Sequence, residues 1–199
     1  MAIDKEVHAI KHKGILPKQG RILISEPLLS NPYFQRSVVL LVDHSQSGSM
    51  GFVVNKKLDL TVNEFFPELE NKEELPIYIG GPVSSNRLFF IHTLGDLIIP
   101  DSVKITDNLY FDGDFEVLKK FIMSGNSVEG CVRFFLGYSG WEKGQLMQEI
   151  KDDSWVVNYM KEPKNIFFAE GEDFWKNSVT ELGNNYNGWI RFPKEANLN

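Results

Sequence analysis

Three glycine-bearing segments set the terms on which this chain can fold: the stretch from Gly20 to Asn55, the run Gly80-Gly81-Pro82-Val83, and Gly137-Tyr138-Ser139-Gly140-Trp141 continuing through Gly144-Gln145-Leu146. Residues without a Cβ allow sharp turns and close approach of backbones, so apolar runs broken up in this way read as short strands with tight connections. The side chains around these glycines include an indole and a primary amide. They suit the rim of a cleft, but none is a strong acid, base or nucleophile at neutral pH.

A chain of 199 residues, 42% hydrophobic and 13% aromatic, is long enough to bury one substantial core without a metal or disulfide staple. The single cysteine, Cys131, cannot close an intramolecular disulfide, and Met1-Ala2-Ile3-Asp4-Lys5-Glu6 lacks the apolar stretch of a signal peptide. Both features lead us to expect a cytoplasmic protein. Apolar runs such as Val38-Val39-Leu40-Leu41-Val42 fall far short of the roughly 18 residues a membrane helix requires.

Charge is unevenly spread. Lys5, Lys11, Lys13, Lys18 and Arg21 outnumber Asp4 and Glu6, giving residues 1–21 a net charge of +3, so the remaining 178 residues carry -9 of the total of -6. An acidic body without a dense basic stripe argues against direct contact with nucleic acid. Residues 1–19 are expected to form a flexible basic arm and 20–199 a single domain with an Asn-rich C-terminal extension.

Strands are expected at Arg21 to Ser25, Ser37 to Val42, Met50 to Asn55, Ile77 to Ile79, Leu88 to His92, Leu109 to Phe111, Cys131 to Leu136 and Trp155 to Met160. The turn-forming stretch Asp43 to Ser49 reads as a hairpin loop, and Gly80-Gly81-Pro82 as a tight turn between two strands. Asp59 or Thr61 is expected to cap a short helix ended by Pro67, and Asp114 a helix over Phe115 to Met123 stopped by Gly125. Helices are also expected at Gln145 to Ile150 and, capped by Asp173 and closed by Gly183, at Asp173 to Leu182. Strands outnumber helices and tight turns join many of them, which predicts an α+β fold with a mixed, largely antiparallel sheet.

The motifs Gly20-Arg21-Ile22-Leu23-Ile24-Ser25-Glu26-Pro27, Asn31-Pro32-Tyr33-Phe34-Gln35-Arg36-Ser37-Val38-Val39, Gly48 to Asn55, Gly80-Gly81-Pro82-Val83 and Gly137 through Glu149-Ile150 together resemble the YqgE/AlgH family of bacterial proteins. The resemblance runs from Gly20 to about Val157. It implies a compact α+β domain with a bulged, partly barrel-like sheet flanked by helices. Some members carry the label of transcriptional regulator, and the resemblance transfers no catalytic residue. Two departures stand out: Met147 follows Leu146 where an acidic residue is common, weakening any role for a carboxylate beside Gln145, and the segment after Pro163 looks particular to this lineage.

The residues read as a ligand- or partner-binding rim are Asn31, Arg36, Asn55, Gly80, Gly81, Tyr138, Gly140, Trp141, Gly144 and Gln145. In that reading Trp141 stacks a ligand, Gln145 supplies a donor and an acceptor, and Arg36 holds an anion or a partner carboxylate. Gly137-Tyr138-Ser139-Gly140 misses a nucleophile elbow by one residue, because Trp141 stands where that motif needs glycine, and it otherwise reads as a strand-to-helix turn. Asp43-His44 with Ser45, Ser47 and Ser49 has triad residue types, but adjacency in sequence does not make a triad. His8 and His12 have the spacing of two metal ligands but lack a third. Arg133 would activate the Cys131 thiol only if the pair faced solvent. No nucleotide loop or other cofactor motif is present. A small molecule or a partner protein is therefore the expected ligand of a non-enzymatic binding or regulatory module. Direct action on DNA and hydrolysis by His44 or Ser139 are the alternatives.

Overall fold

The computed structural model describes residues 14–193. His8, His12 and most of the basic arm lie outside them. Arg21–Ser25 (β1), Val38–Ser45 (β2) and Gly48–Val53 (β3) form an antiparallel meander, with Ile22 opposite Leu40 and Val39 opposite Val53. Successive side chains in a strand point to opposite faces. Leu23, Val39, Leu41 and Val53 therefore enter one apolar cluster, and Ile22, Ile24, Val38, Leu40 and Phe52 another. The expected loop from Asp43 to Ser49 is mostly strand, because a bulge between Leu41 and Asp43 lets β2 and β3 run on to a two-residue turn at Gln46 and Ser47.

The remaining strands are Lys57–Thr61 (β4), Pro76–Ile79 (β5), Val83–His92 (β6), Val103–Thr106 (β7), Leu109–Phe111 (β8), Val132–Glu142 (β9) and Trp155–Tyr159 (β10). The fold is α+β, and the sheet follows the order β10-β1-β2-β3-β9-β6-β8-β7, with β4 and β5 branching off at β9. All pairings are antiparallel except β5 with β9. β10 and β7 lie at opposite ends of this order, so the sheet does not close into a barrel.

The long strand β9 serves two sets of neighbours. Phe134, Phe135 and Leu136 lie between β5 and β6, whereas Ser139 to Glu142 pair with β3. Gly137, at φ 70°, sits where the strand passes from one set to the other. The strand-to-helix turn expected at Gly137 to Gly140 is thus strand, and the chain turns only at Lys143 and Gly144. Nor does Gly80-Gly81-Pro82 join paired strands, since β5 and β6 flank β9 and the glycines carry the chain across it.

Phe115–Met123 (α1) begins as expected, with the Asp114 carboxylate accepting from the amides of Glu116 and Val117 at 2.9 and 3.1 Å. Leu118 and Ile122 on its buried side meet Ile77, Phe90 and Phe134. Gln145–Lys151 (α2) covers the Leu23 and Val39 face through Leu146 and Ile150. Gly171–Leu182 (α3) covers the other face through Trp175, Val179 and Leu182. It starts two residues before the expected cap at Asp173, where the Gly171 amide donates to the Asn55 carbonyl between β3 and β4. Thr61 does cap a helical turn, in a reciprocal box with Glu64, but that turn is a 3-10 helix over Val62–Glu64. The turn-rich tail contains a further helical turn, Asn187–Ile190 (α4), with Tyr186 and Trp189 buried against the α3 side.

Candidate functional site

Two clefts flank the point where Asn55, between β3 and β4, meets the start of α3. Asn55 is 1% exposed. Its Oδ1 accepts the Val38 amide at 3.0 Å, and its Nδ2 donates to the carbonyls of Arg36 and Gly171 at 3.1 and 2.7 Å. The Gly171 amide donates back to the Asn55 carbonyl at 2.8 Å. Through these bonds Asn55 fastens three chain segments together, with the Val38 amide on its buried side.

The smaller cleft has a volume of about 240 Å³ and is lined by Gln35, Arg36, Asn55, Lys56, Gly171 and Glu172. Arg36, at φ 49°, buries its guanidinium against the Trp175 ring, ion-pairs with Glu172 and donates to the Phe192 carbonyl. Lys56 donates to the Pro32 carbonyl at 2.7 Å, which brings the Asn31 loop alongside. Asn31 itself turns that loop, its Oδ1 accepting the Tyr33 amide at 2.9 Å. Asn31, Arg36 and Asn55 are therefore gathered in one region.

The larger cleft, about 610 Å³, is lined by Lys57, Glu73, Glu74, Leu75, Pro76, Tyr78, Val128, Glu129, Gly130, Val132, Arg133, Phe134, Phe167, Phe168 and Glu170. Arg133 is its fixed element. One guanidinium nitrogen donates to the Val54 and Ala169 carbonyls at 2.5 and 2.6 Å and the other to Phe167 at 2.7 Å, while the cation lies 3.7 Å from the centre of the Tyr78 ring. Burial lowers its pKa to about 10, which still leaves it charged at neutral pH. The Tyr78 hydroxyl donates to Glu170 at 3.0 Å, and burial pushes the phenol up to about 12, so it remains a donor. Phe168 stands 72% exposed. Four carboxylates, Glu73, Glu74, Glu129 and Glu170, face two cations across this cleft.

The other expected rim residues lie elsewhere. Gly80 and Gly81 are packed against the backbone of β9; a Cβ on Gly81 would stand 2.5 Å from the Tyr138 carbonyl carbon. Tyr138 packs edge-on to Phe89 at 5.9 Å, with Gly140 beside its ring. Trp141 is 5% exposed, stacked on Phe34 and edge-on to Trp155. Its indole N–H and that of Trp155 both donate to Glu149 Oε2 at 2.8 Å, and Gln145 donates to Oε1 at 2.9 Å while accepting the Glu142 amide. A carboxylate does stand beside Gln145, one helical turn on. Gly144, at φ 78°, makes the turn into α2.

Groups of nucleophilic type are engaged in the fold. Ser139 Oγ, fully buried, donates to the Gly80 carbonyl at 2.9 Å. His44 Nδ1 lies 2.7 Å from Ser49 Oγ across the hairpin. His92, which the sequence reading passed over, is fully buried, and burial lowers its pKa. Its Nε2 contacts Ser102 Oγ and the Asp112 carbonyl, but that hydroxyl already donates to Ile99. Arg133 was legible only as a charge within the apolar run Cys131 to Leu136, and its carbonyl partners, not the thiol, hold its guanidinium.

A family model described as AlgH-like (DUF179) matches residues 22–187. The chain belongs to the AlgH-like family. A UPF0301 protein of Parabacteroides distasonis is 58% identical over 199 residues, covering all of both chains, and one of Bacteroides thetaiotaomicron is 44% identical over 201 residues, again covering both. The solution structure of the AlgH protein from Pseudomonas aeruginosa matches with a TM-score of 0.68 at 29% identity, over 89% of this chain and 95% of that one. A crystal structure from Corynebacterium diphtheriae matches with a TM-score of 0.72 at 22% identity, over 96% of this chain and all of that one. The latter likeness concerns the fold alone. In this AlgH-like chain both clefts lie within the matched segment, and no helix among the described residues is long and apolar enough to cross a membrane.

Proposed function

We propose that this AlgH-like chain is a non-enzymatic binding or regulatory module whose ligand or partner occupies the larger cleft. The observation that carries this reading is the rigid placement of Arg133 and Tyr78 behind an exposed Phe168 and Glu170. Three backbone carbonyls hold the guanidinium, so the polar floor is set before anything binds. A cavity of about 610 Å³ with aromatic walls and a few oriented polar groups has the size and make-up of a ligand site. Ser139, fully buried with its hydroxyl donating to the Gly80 carbonyl, is withheld from substrate, which supports binding over hydrolysis at that serine. The net charge of -6 likewise favours a small molecule or a protein over nucleic acid.

Native mass spectrometry on untagged protein drawn gently from its own cells tests the reading, with the variant Phe168→Ala, Glu170→Gln run beside it. Both side chains are exposed, so the variant is expected to fold normally. A bound small molecule or partner retained by the parent and depleted at least tenfold in the variant is the expected result. Equal retention by both proteins would move the binding surface away from this cleft.

A further inference from the structure

Among the described residues, Lys56 is the lysine that lines the smaller cleft. Its backbone is fixed on both sides, through the Asn55 side chain and through its own carbonyl, which accepts the Ile79 amide at 2.9 Å. The residue is half-buried, and its amine lines the smaller cleft and donates to the Pro32 carbonyl, with no carboxylate in ion-pair reach among the described residues. Lys104, Lys119, Lys161 and Lys176 all face carboxylates. The acid of this cleft, Glu172, is engaged by Arg36 from one side and Lys176 from the other. The amine thus shares its cleft with a buried guanidinium whose counter-charge is divided between two cations.

A lysine partly withdrawn from water is easier to deprotonate, and the neutral amine is the form that attacks carbonyl carbon. A neutral amine keeps an N–H for the Pro32 carbonyl, and that bond directs its lone pair elsewhere. The volume of about 240 Å³ leaves room for a compound of a few carbon atoms. We propose that Lys56 is a covalent attachment site, taking up a small aldehyde or keto compound as a Schiff base within this cleft. The Nζ lone pair forms the C–N bond to the carbonyl carbon, the carbinolamine loses its oxygen as water, and a nitrogen proton leaves with it. Nothing is oxidised or reduced. This inference is independent of what occupies the larger cleft.

Burial lowers the Lys56 pKa to about 8, which raises its neutral fraction at pH 7 roughly two-hundredfold over an ordinary lysine. Lys72 is a matched control, because its amine also donates to a carbonyl, that of Met123 at 3.0 Å, but on an exposed residue outside this cleft. The test treats the full chain with glyoxylate and, separately, acetaldehyde, traps imines with cyanoborohydride, and follows each lysine by peptide mass spectrometry. Mapping also separates the α-amine of the chain. At pH 7, Lys56 is expected to react at least tenfold faster than Lys72 with one or both carbonyl compounds. That advantage should shrink as pH rises beyond 8, where most of Lys56 is already neutral and an ordinary lysine is still gaining its neutral form. In Lys56→Arg the fast site should vanish while the other lysines keep their rates. Equal rates at Lys56 and Lys72, or a fast lysine that survives in Lys56→Arg, would overturn the proposal.

Discussion

The crossing at Gly137 and the junction at Asn55 each join stretches of chain far apart in sequence, and they do so by opposite means. At the crossing, backbone lies directly on backbone. The Gly80 amide donates to Leu136, the Gly80 carbonyl accepts from both Val53 and Ser139, and no space remains. At the junction a side-chain amide bridges three segments, and two clefts open beside it. Gly80, Gly81 and Gly137 mark where this fold must be dense. Polar side chains that span a gap mark where it stays open.

The largest effect should come from filling the crossing. A methyl group on Gly80 would lie inside the van der Waals shell of the Gly137 carbonyl oxygen and 2.7 Å from the Phe52 ring. Gly80→Ala is therefore expected to cost about 3 kcal/mol or more in urea denaturation. A loss below about 1 kcal/mol would mean that the crossing has slack, and the contrast with the junction would fail.

Next in size, Asn55→Ala removes the partner of the Val38 amide and of two carbonyls, with an expected loss of about 2–3 kcal/mol. The damage should be local. Hydrogen exchange should quicken in the first turn of α3 and at Val38, and much less around Gly137. Uniform quickening over both regions would show that they are not separable units.

The smallest effect sharpens the contrast from the side of the third glycine motif. Trp141→Phe keeps the contact with Phe34 but removes one of two indole donors to Glu149, for an expected loss of about 1 kcal/mol. Unchanged stability in thermal melts, together with lost binding in the native mass-spectrometry assay, would return Trp141 to the role of a ligand-stacking ring.

Much of the fold was legible because local chemistry and tertiary demand agreed. Arg21–Ser25 and Leu109–Phe111 are strands as read, and Asp114 caps α1. β4 and β7 escaped because Lys57-Leu58-Asp59-Leu60-Thr61 and Val103-Lys104-Ile105-Thr106 are short, with only two apolar residues each to carry the alternation. Gly137 and Gly140 suggested a turn, yet both lie within β9, one where the strand changes neighbours and the other in the pairing with β3. Of the site, Arg36 and Asn55 were named from sequence, and the structure sets them beside one cleft. Tyr78 and Glu170 were not named, and Arg133 was named only as a neighbour of the Cys131 thiol. They converge only through the path of β5, β9 and the lead into α3, and spacing along the chain carries no trace of that meeting.

The double service of β9 also bears on how the chain comes off the ribosome. β3, β5 and β6 are all complete by His92, but each must wait for Val132–Glu142 before its ladder closes. For some forty residues of synthesis, three strand edges of one polypeptide are unmatched at the same time. That interval is when a nascent chain is most open to joining with its neighbours and most in need of a chaperone.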